Sequence, residues 1–165
     1  AVRPRHGDPR LTASQEPTPA SVVDATFERL VSRLGATDTS ELPELTINEA
    51  AVCRIVWLQA SVDNGGFVSF FYNSYGNHTA ETLAALDRIG AVEASGLLAA
   101  AVALFGPSGP SRDHERREQQ LRHLPSGADD VLYALDESFY GQEDALQQHL
   151  AAFIQSAAFR DTGSA

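Results

Sequence analysis

Apolar side chains recur along this chain at every third or fourth position and nowhere alternate convincingly, a pattern that predicts helices and no sheet. Val23, Phe27, Leu30, Val31 and Leu34 share one helical face; Ser21 and Asp24 suit its start and Gly35 its end. Residues 36–45 read as a polar, acidic loop. Thr46 and Glu49 have capping-box spacing, and the helix behind them carries Ile47, Ala51, Ile55, Leu58 and Val62 on one face until Asn64-Gly65-Gly66 stops it. Phe67, Phe70, Phe71 and Ser74 suit a short helix ending at Gly76, and Thr79 to Ile89 another, closed by Gly90. Ala91 to Phe105 has almost no charge after Glu93. A helix apolar all round is buried on all sides, in the domain centre or in a dimer interface. After the Gly106–Pro110 loop, Arg112 to Leu124 reads as a polar surface helix. Asp129 to Tyr140 and Glu143 to Ala158, parted at Gly141, complete the chain. The expected architecture is all-α: one compact domain of about eight helices over residues 21–160, with a flexible, proline-rich arm at 1–20 and a short tail at 161–165.

The segment from Asp63 to Gly76 is the most distinctive. It packs five of the chain's thirteen aromatic residues (Phe67, Phe70, Phe71, Tyr72 and Tyr75) into nine positions. A double glycine can let a backbone approach a phosphate, but an acidic domain is a poor host for phosphate. The structural reading is therefore preferred: Asp63, Asn64, Gly65 and Gly66 end a helix, while Phe67, Phe70 and Phe71 plug the core. Asp63 and Asn73 suit side-chain capping of the turns, Asn73 just ahead of Gly76.

Composition narrows the function more than the fold. The 165 residues suit a single domain, and the formal charge is −10, with no lysine at all. Residues 1–20 carry three arginines against two acids, and the remainder nine against twenty. Such a domain repels nucleic acid and anionic membranes and attracts basic surfaces. Cys53 is the only cysteine, so no internal disulfide forms. The opening residues lack the apolar core of a signal peptide, and a cytoplasmic setting is expected. The five histidines are not spaced as metal ligands, and no nucleophile elbow or phosphate loop occurs. The reading is of a protein without metal, cofactor or catalysis.

The acidic positions are the candidate binding residues. Asp129, Asp130, Asp136, Glu137, Glu143 and Asp144 lie near the C-terminus against few cations, and Asp38, Glu41, Glu44 and Glu49 form a second group. Asp129 and Asp136 lie on nearly one helical face, about 10 Å apart at ~1.5 Å rise per residue, and Asp130 and Glu137 repeat this one step round. Rows of carboxylates at such separations resemble backbone phosphates. Arg112, Arg116, Arg117 and Arg122 interrupt the negative surface.

Asp63-Asn64-Gly65-Gly66-Phe67, Phe70-Phe71-x-Asn73-Ser74-x-Gly76, Ile89-Gly90-Ala91, Leu135-Asp136-x-x-Phe139-Tyr140 and Phe153-Ile154 occur in that order. In these the chain resembles a bacterial family of all-helical DNA mimic proteins, over roughly residues 22–160. The resemblance implies a non-enzymatic homodimer whose acidic face occupies the DNA-binding surface of a protein, such as a helix-turn-helix regulator, and so inhibits transcription regulation at its operator. The alternative is an immunity or adaptor protein that binds a basic toxin or another protein.

Overall fold

The structure, a computed structural model, describes residues 16–35 and 41–160. Among these the chain forms eight α-helices, one 3-10 turn and no strand. The all-α expectation is met. α1 (Pro19–Leu34) starts at Thr18, whose hydroxyl accepts from the Ser21 N–H at 3.2 Å, with proline in the first turn. Ser21 and Asp24 thus lie inside the helix, not at its start. α2 (Ile47–Tyr72) opens on the expected capping box: Thr46 N–H donates to Glu49 Oε2 at 3.0 Å, and Glu49 N–H to Thr46 Oγ1 at 3.2 Å. A 3-10 turn (Ser74–His78) leads into α3 (Thr79–Arg88). α4 (Val92–Ala103), α5 (His114–Arg122), α6 (Ala128–Tyr140), α7 (Glu143–Gln155) and α8 (Ala157–Arg160) follow. Ser156 divides the last two, its hydroxyl donating to the Phe153 carbonyl and accepting from the Phe159 N–H, where the pattern predicts one helix to Ala158.

α2 is the central helix. α1, α3, α5 and α6 pack against it, α7 closes on α1, and α4 lies on α3 and α6. Val52, Cys53, Ile55, Leu58 and Val62 are fully buried, spread around the helix. Burial pushes the Cys53 thiol up to about 12, as for an inert core residue. Of the two places expected for Ala91–Phe105, the domain centre is therefore taken by α2. α4 buries Ala94, Leu98 and Ala101 but leaves Val92, Ala99, Ala100 and Ala103 exposed. The reason is area: alanines offer little surface to remove from water, whereas α2 supplies Ile, Leu and Trp.

α2 does not run straight through. It breaks at Gly65 and Gly66 and resumes at Phe67, so the expected stop is an interruption. Gly66 has φ 70° and ψ −174°, a conformation essentially restricted to glycine. α6 supplies partners to two backbone groups at the break. The Tyr140 hydroxyl donates to the Val62 carbonyl at 3.1 Å, and Asp136 Oδ1 accepts from the Phe67 N–H at 2.8 Å. Tyr140 and Asp136 are one turn apart on α6, as this requires. The approach is close: a Cβ on Gly66 would fall 2.2 Å from Asp136 Oδ2. The Phe67 ring meets Phe139 edge-on, with centroids 5.4 Å apart. The side chain that caps the break is thus Asp136, from another helix. Asp63, expected in that role, makes no side-chain hydrogen bond among the described residues.

The other end of α2 is held by Arg117, which is fully buried. Its Nε donates to the Phe71 carbonyl at 2.5 Å. One terminal nitrogen serves the Ser111 and Arg112 carbonyls, and the other the Asn73 carbonyl and Asn77 Oδ1. The guanidinium fork thereby satisfies carbonyls left over at a helix end. Gly76 follows from this packing, because a Cβ there would lie 2.8 Å from Arg117 Nε and 2.9 Å from two α2 carbonyls. Asn73 acts through its backbone, since its side chain caps nothing. Arg117 belongs to the core and not to the surface on which the sequence places it; periodicity in a polar helix does not reveal one inward arginine.

Arg117→Met and Arg117→Lys should each destabilise the domain by about 3 kcal/mol or more, because neither replacement can serve so many buried acceptors. Arg116→Lys, on the exposed side of the same helix, should change stability by about 0.5 kcal/mol or less. Urea unfolding midpoints check both.

Candidate partner-binding acidic face

The break in α2 sets Asp63 beside α6 and the start of α7. Burial raises the Asp63 carboxyl, and the Glu143 charge raises it further. Burial also raises the Asp136 carboxyl, opposed by the Phe67 N–H and reinforced by Glu137. The Tyr140 hydroxyl is pushed up by burial and then by the charges of Asp136, Asp63 and Glu137, with Tyr133 adding to it. These mutual effects place Asp63, Asp136, Glu137, Glu143 and two tyrosines in one electrostatic neighbourhood. Tyr133 and Tyr140 are 67% and 41% exposed, so the acids are interleaved with aromatic rings open to a partner.

Asp129 and Asp130 occupy the first turn of α6, and Glu143 and Asp144 that of α7. Neither helix has a side-chain N-cap, and acids in the first turn stabilise such an end by about 0.3–1 kcal/mol each. All four are exposed, as is Glu137, whereas Asp136 is half-buried and occupied with Phe67. Among the described residues none of these six acids, nor Asp63, forms an ion pair.

The second acidic group differs in character. Glu49 pairs with Arg33 at 2.5 Å and completes the capping box. Burial raises it, but bonds from Thr46 and Arg33 outweigh burial and leave it low. Glu41 lies 3.4 Å from Nε2 of the buried His78, whose pKa burial and then Arg54 lower. Glu44 is exposed and unpaired among the described residues, and Asp38 lies outside them. Glu81 and Glu118 are bridged by Arg112 and Arg122. Arginines thus meet Glu49, Glu81 and Glu118, whereas α6 and α7 carry six acids and no arginine. Sequence reasoning missed Asp63, Tyr133 and Tyr140 as members of the free face. The Tyr133, Glu137, Tyr140 spacing on α6 was available as a signal; the approach of Asp63 was not, because it depends on the break.

Among the described residues no group of three or more His, Cys, Asp or Glu side chains is placed to hold a metal ion, and no helix is long and apolar enough to cross a membrane. An all-helical domain with an unpaired acidic face and exposed tyrosines has the form of a protein-binding module. The chain belongs to the DMP19-like protein family, a family of DNA mimics, whose family model matches residues 43–157. The match takes in the α2 break, the Arg117 cradle and α6, and leaves α1 outside. No curated protein and no solved structure matches the chain.

Asp136 gives a pH test. Its folded carboxyl takes up a proton at higher pH than the unfolded one, so its contribution to stability is fullest below the unfolded value and falls as pH rises through the raised one. Asp136→Asn keeps an oxygen for the Phe67 N–H and removes the titration. Relative to wild type, the variant should gain stability between about pH 3 and pH 7, read from urea midpoints. An unchanged difference across that range would contradict the assignment.

Proposed function

We propose that this chain is a non-enzymatic, acidic DNA mimic that binds the DNA-binding surface of a transcriptional regulator, such as a helix-turn-helix protein, and blocks its access to DNA. Family membership supports the class. The observation that carries the reading is the charge of α6 and α7: the two helices hold six acids and no arginine, and none of the six forms an ion pair among the described residues.

The mechanism is competition. DNA presents one negative charge per ~1.7 Å of helix axis, and a partner's Arg and Lys side chains are spaced to meet it. Asp129, Asp130, Glu137, Glu143, Asp144 and Asp63 offer those side chains carboxylates instead. Tyr133 and Tyr140 offer ring faces on which an arginine can stack. Asp136 fixes the local geometry through the Phe67 N–H. Glu44 remains a free acid outside this face, Glu49 is held by Arg33, and Glu41 lies beside His78 without a hydrogen bond. The exposed side of α4, with Val92, Ala99, Ala100 and Ala103, supports a homodimer as the working form. The encounter would take place in the cytoplasm. An immunity or adaptor protein would use the same face on a basic partner without DNA-binding activity; the family favours the mimic.

The test starts with affinity capture from the native cell extract, eluting with salt. A DNA-binding protein should elute, and its affinity for the chain should fall steeply with ionic strength. Combined Asp130→Lys, Glu137→Lys and Glu143→Lys should weaken the complex by about 100-fold or more, since like charges across an interface cost several kcal/mol, while helix content is unchanged. Equal binding by this variant across the salt series would place the interface elsewhere. Capture of a basic partner with no DNA-binding activity would favour the adaptor reading.

A further inference from the structure

On the α3 side of α2 lies a pocket of about 170 Å³. Its apolar wall consists of Ile47, Ala50 and Ala51 from α2 and Ala84 and Ala85 from α3, and Arg54, Arg88 and Glu81 complete the lining. A cavity of roughly 150 Å³ is large enough for benzene, so the space suits one small organic molecule.

The polar atoms are incompletely satisfied by the chain itself. Arg54 is partly buried, yet among the described residues it has neither a hydrogen bond nor an ion pair. Its guanidinium offers five donors, and the nearest opposite charges, Glu81 and Glu41, act on it only from beyond pairing distance. Arg88 makes one long bond, to Asn48 Oδ1 at 3.3 Å. Glu81 is bridged through Oε1 to Arg112, but its Oε2 is buried without a donor. A guanidinium with no partner among the described residues therefore lines an apolar pocket, where a charged partner makes a strong hydrogen bond. The pocket is also locally cationic in a chain of net charge −10, which the acidic binding face does not explain.

We propose that this pocket binds a small organic acid with an apolar body: the carboxylate on Arg54 and the body on Ile47 and the four alanines. A carboxylate matches the guanidinium fork. The site is independent of the DNA-mimic reading.

Mandelate has both features and serves as the probe, with mandelamide as its neutral counterpart. Titration of the ¹⁵N-labelled full chain with mandelate should give saturable shifts at the Ala50, Ala51, Ala84 and Ala85 amides. Mandelamide should bind about tenfold or more weakly, and Arg54→Gln should lose a similar factor for mandelate, as expected when a charged hydrogen-bond partner is lost. Arg54 makes no hydrogen bond or ion pair among the described residues, so this variant should fold normally. Ala84→Leu, a filling substitution at the exposed edge of the pocket, should abolish binding without touching the charge. No saturable shift at millimolar mandelate, or equal binding of the acid and the amide, would overturn the proposal, as would mandelate bound undiminished by Ala84→Leu.

Discussion

The domain depends on one constraint: a long central helix is broken inside the protein, and every backbone group the break releases must find a partner. Gly65 and Gly66 make the break possible. Asp136 and Tyr140 then satisfy the Phe67 N–H and the Val62 carbonyl, and Arg117 collects the carbonyls at the far end of α2. Two outer helices, α6 and α5, are thereby tied to the core by directional bonds as well as by apolar area. A shift of either helix would strand polar groups away from water, which costs more than the same shift between apolar surfaces.

This bonding also shapes the surface. Holding α6 against the break gathers Asp63, Asp136, Glu137 and Tyr133 around Tyr140, with Glu143 acting on Asp63. Their charges reinforce one another, which is why burial and like charge raise Asp63 and Asp136 together. Carboxylates held so close would ordinarily be tempered by arginine, as Glu49, Glu81 and Glu118 are. Along α6 and α7 no arginine does so among the described residues. Like-charge crowding disfavours folding, and in the proposed function a positively charged partner offsets it.

Much of the fold was legible in local pattern. The Thr46–Glu49 box, the Gly35 and Gly90 ends and the loop before α5 are all set by interactions within a few residues, and the structure has them where the pattern places them. Local pattern was silent where the partner is distant in sequence. The Phe67–Asp136 bond spans 69 positions and the Arg117–Phe71 bond 46, so Asp136 read as a surface acid and Arg117 as a surface base. The exchange between α2 and α4 has a different origin. Both runs are apolar, and hydropathy alone does not say which helix carries more area to bury. In the candidate site, the α6 and α7 acids were visible as composition, but which acids are neutralised depends on the packing of arginines from other helices.

The most direct test of DNA mimicry asks whether the chain and DNA exclude one another. With a regulator captured from the native extract and its fluorescent operator duplex, addition of this protein should release the duplex fully. The concentration needed should rise in proportion to the duplex present, with no species containing all three components in analytical ultracentrifugation. A stable ternary complex, or DNA release that saturates below completion, would contradict occupation of the DNA-binding surface.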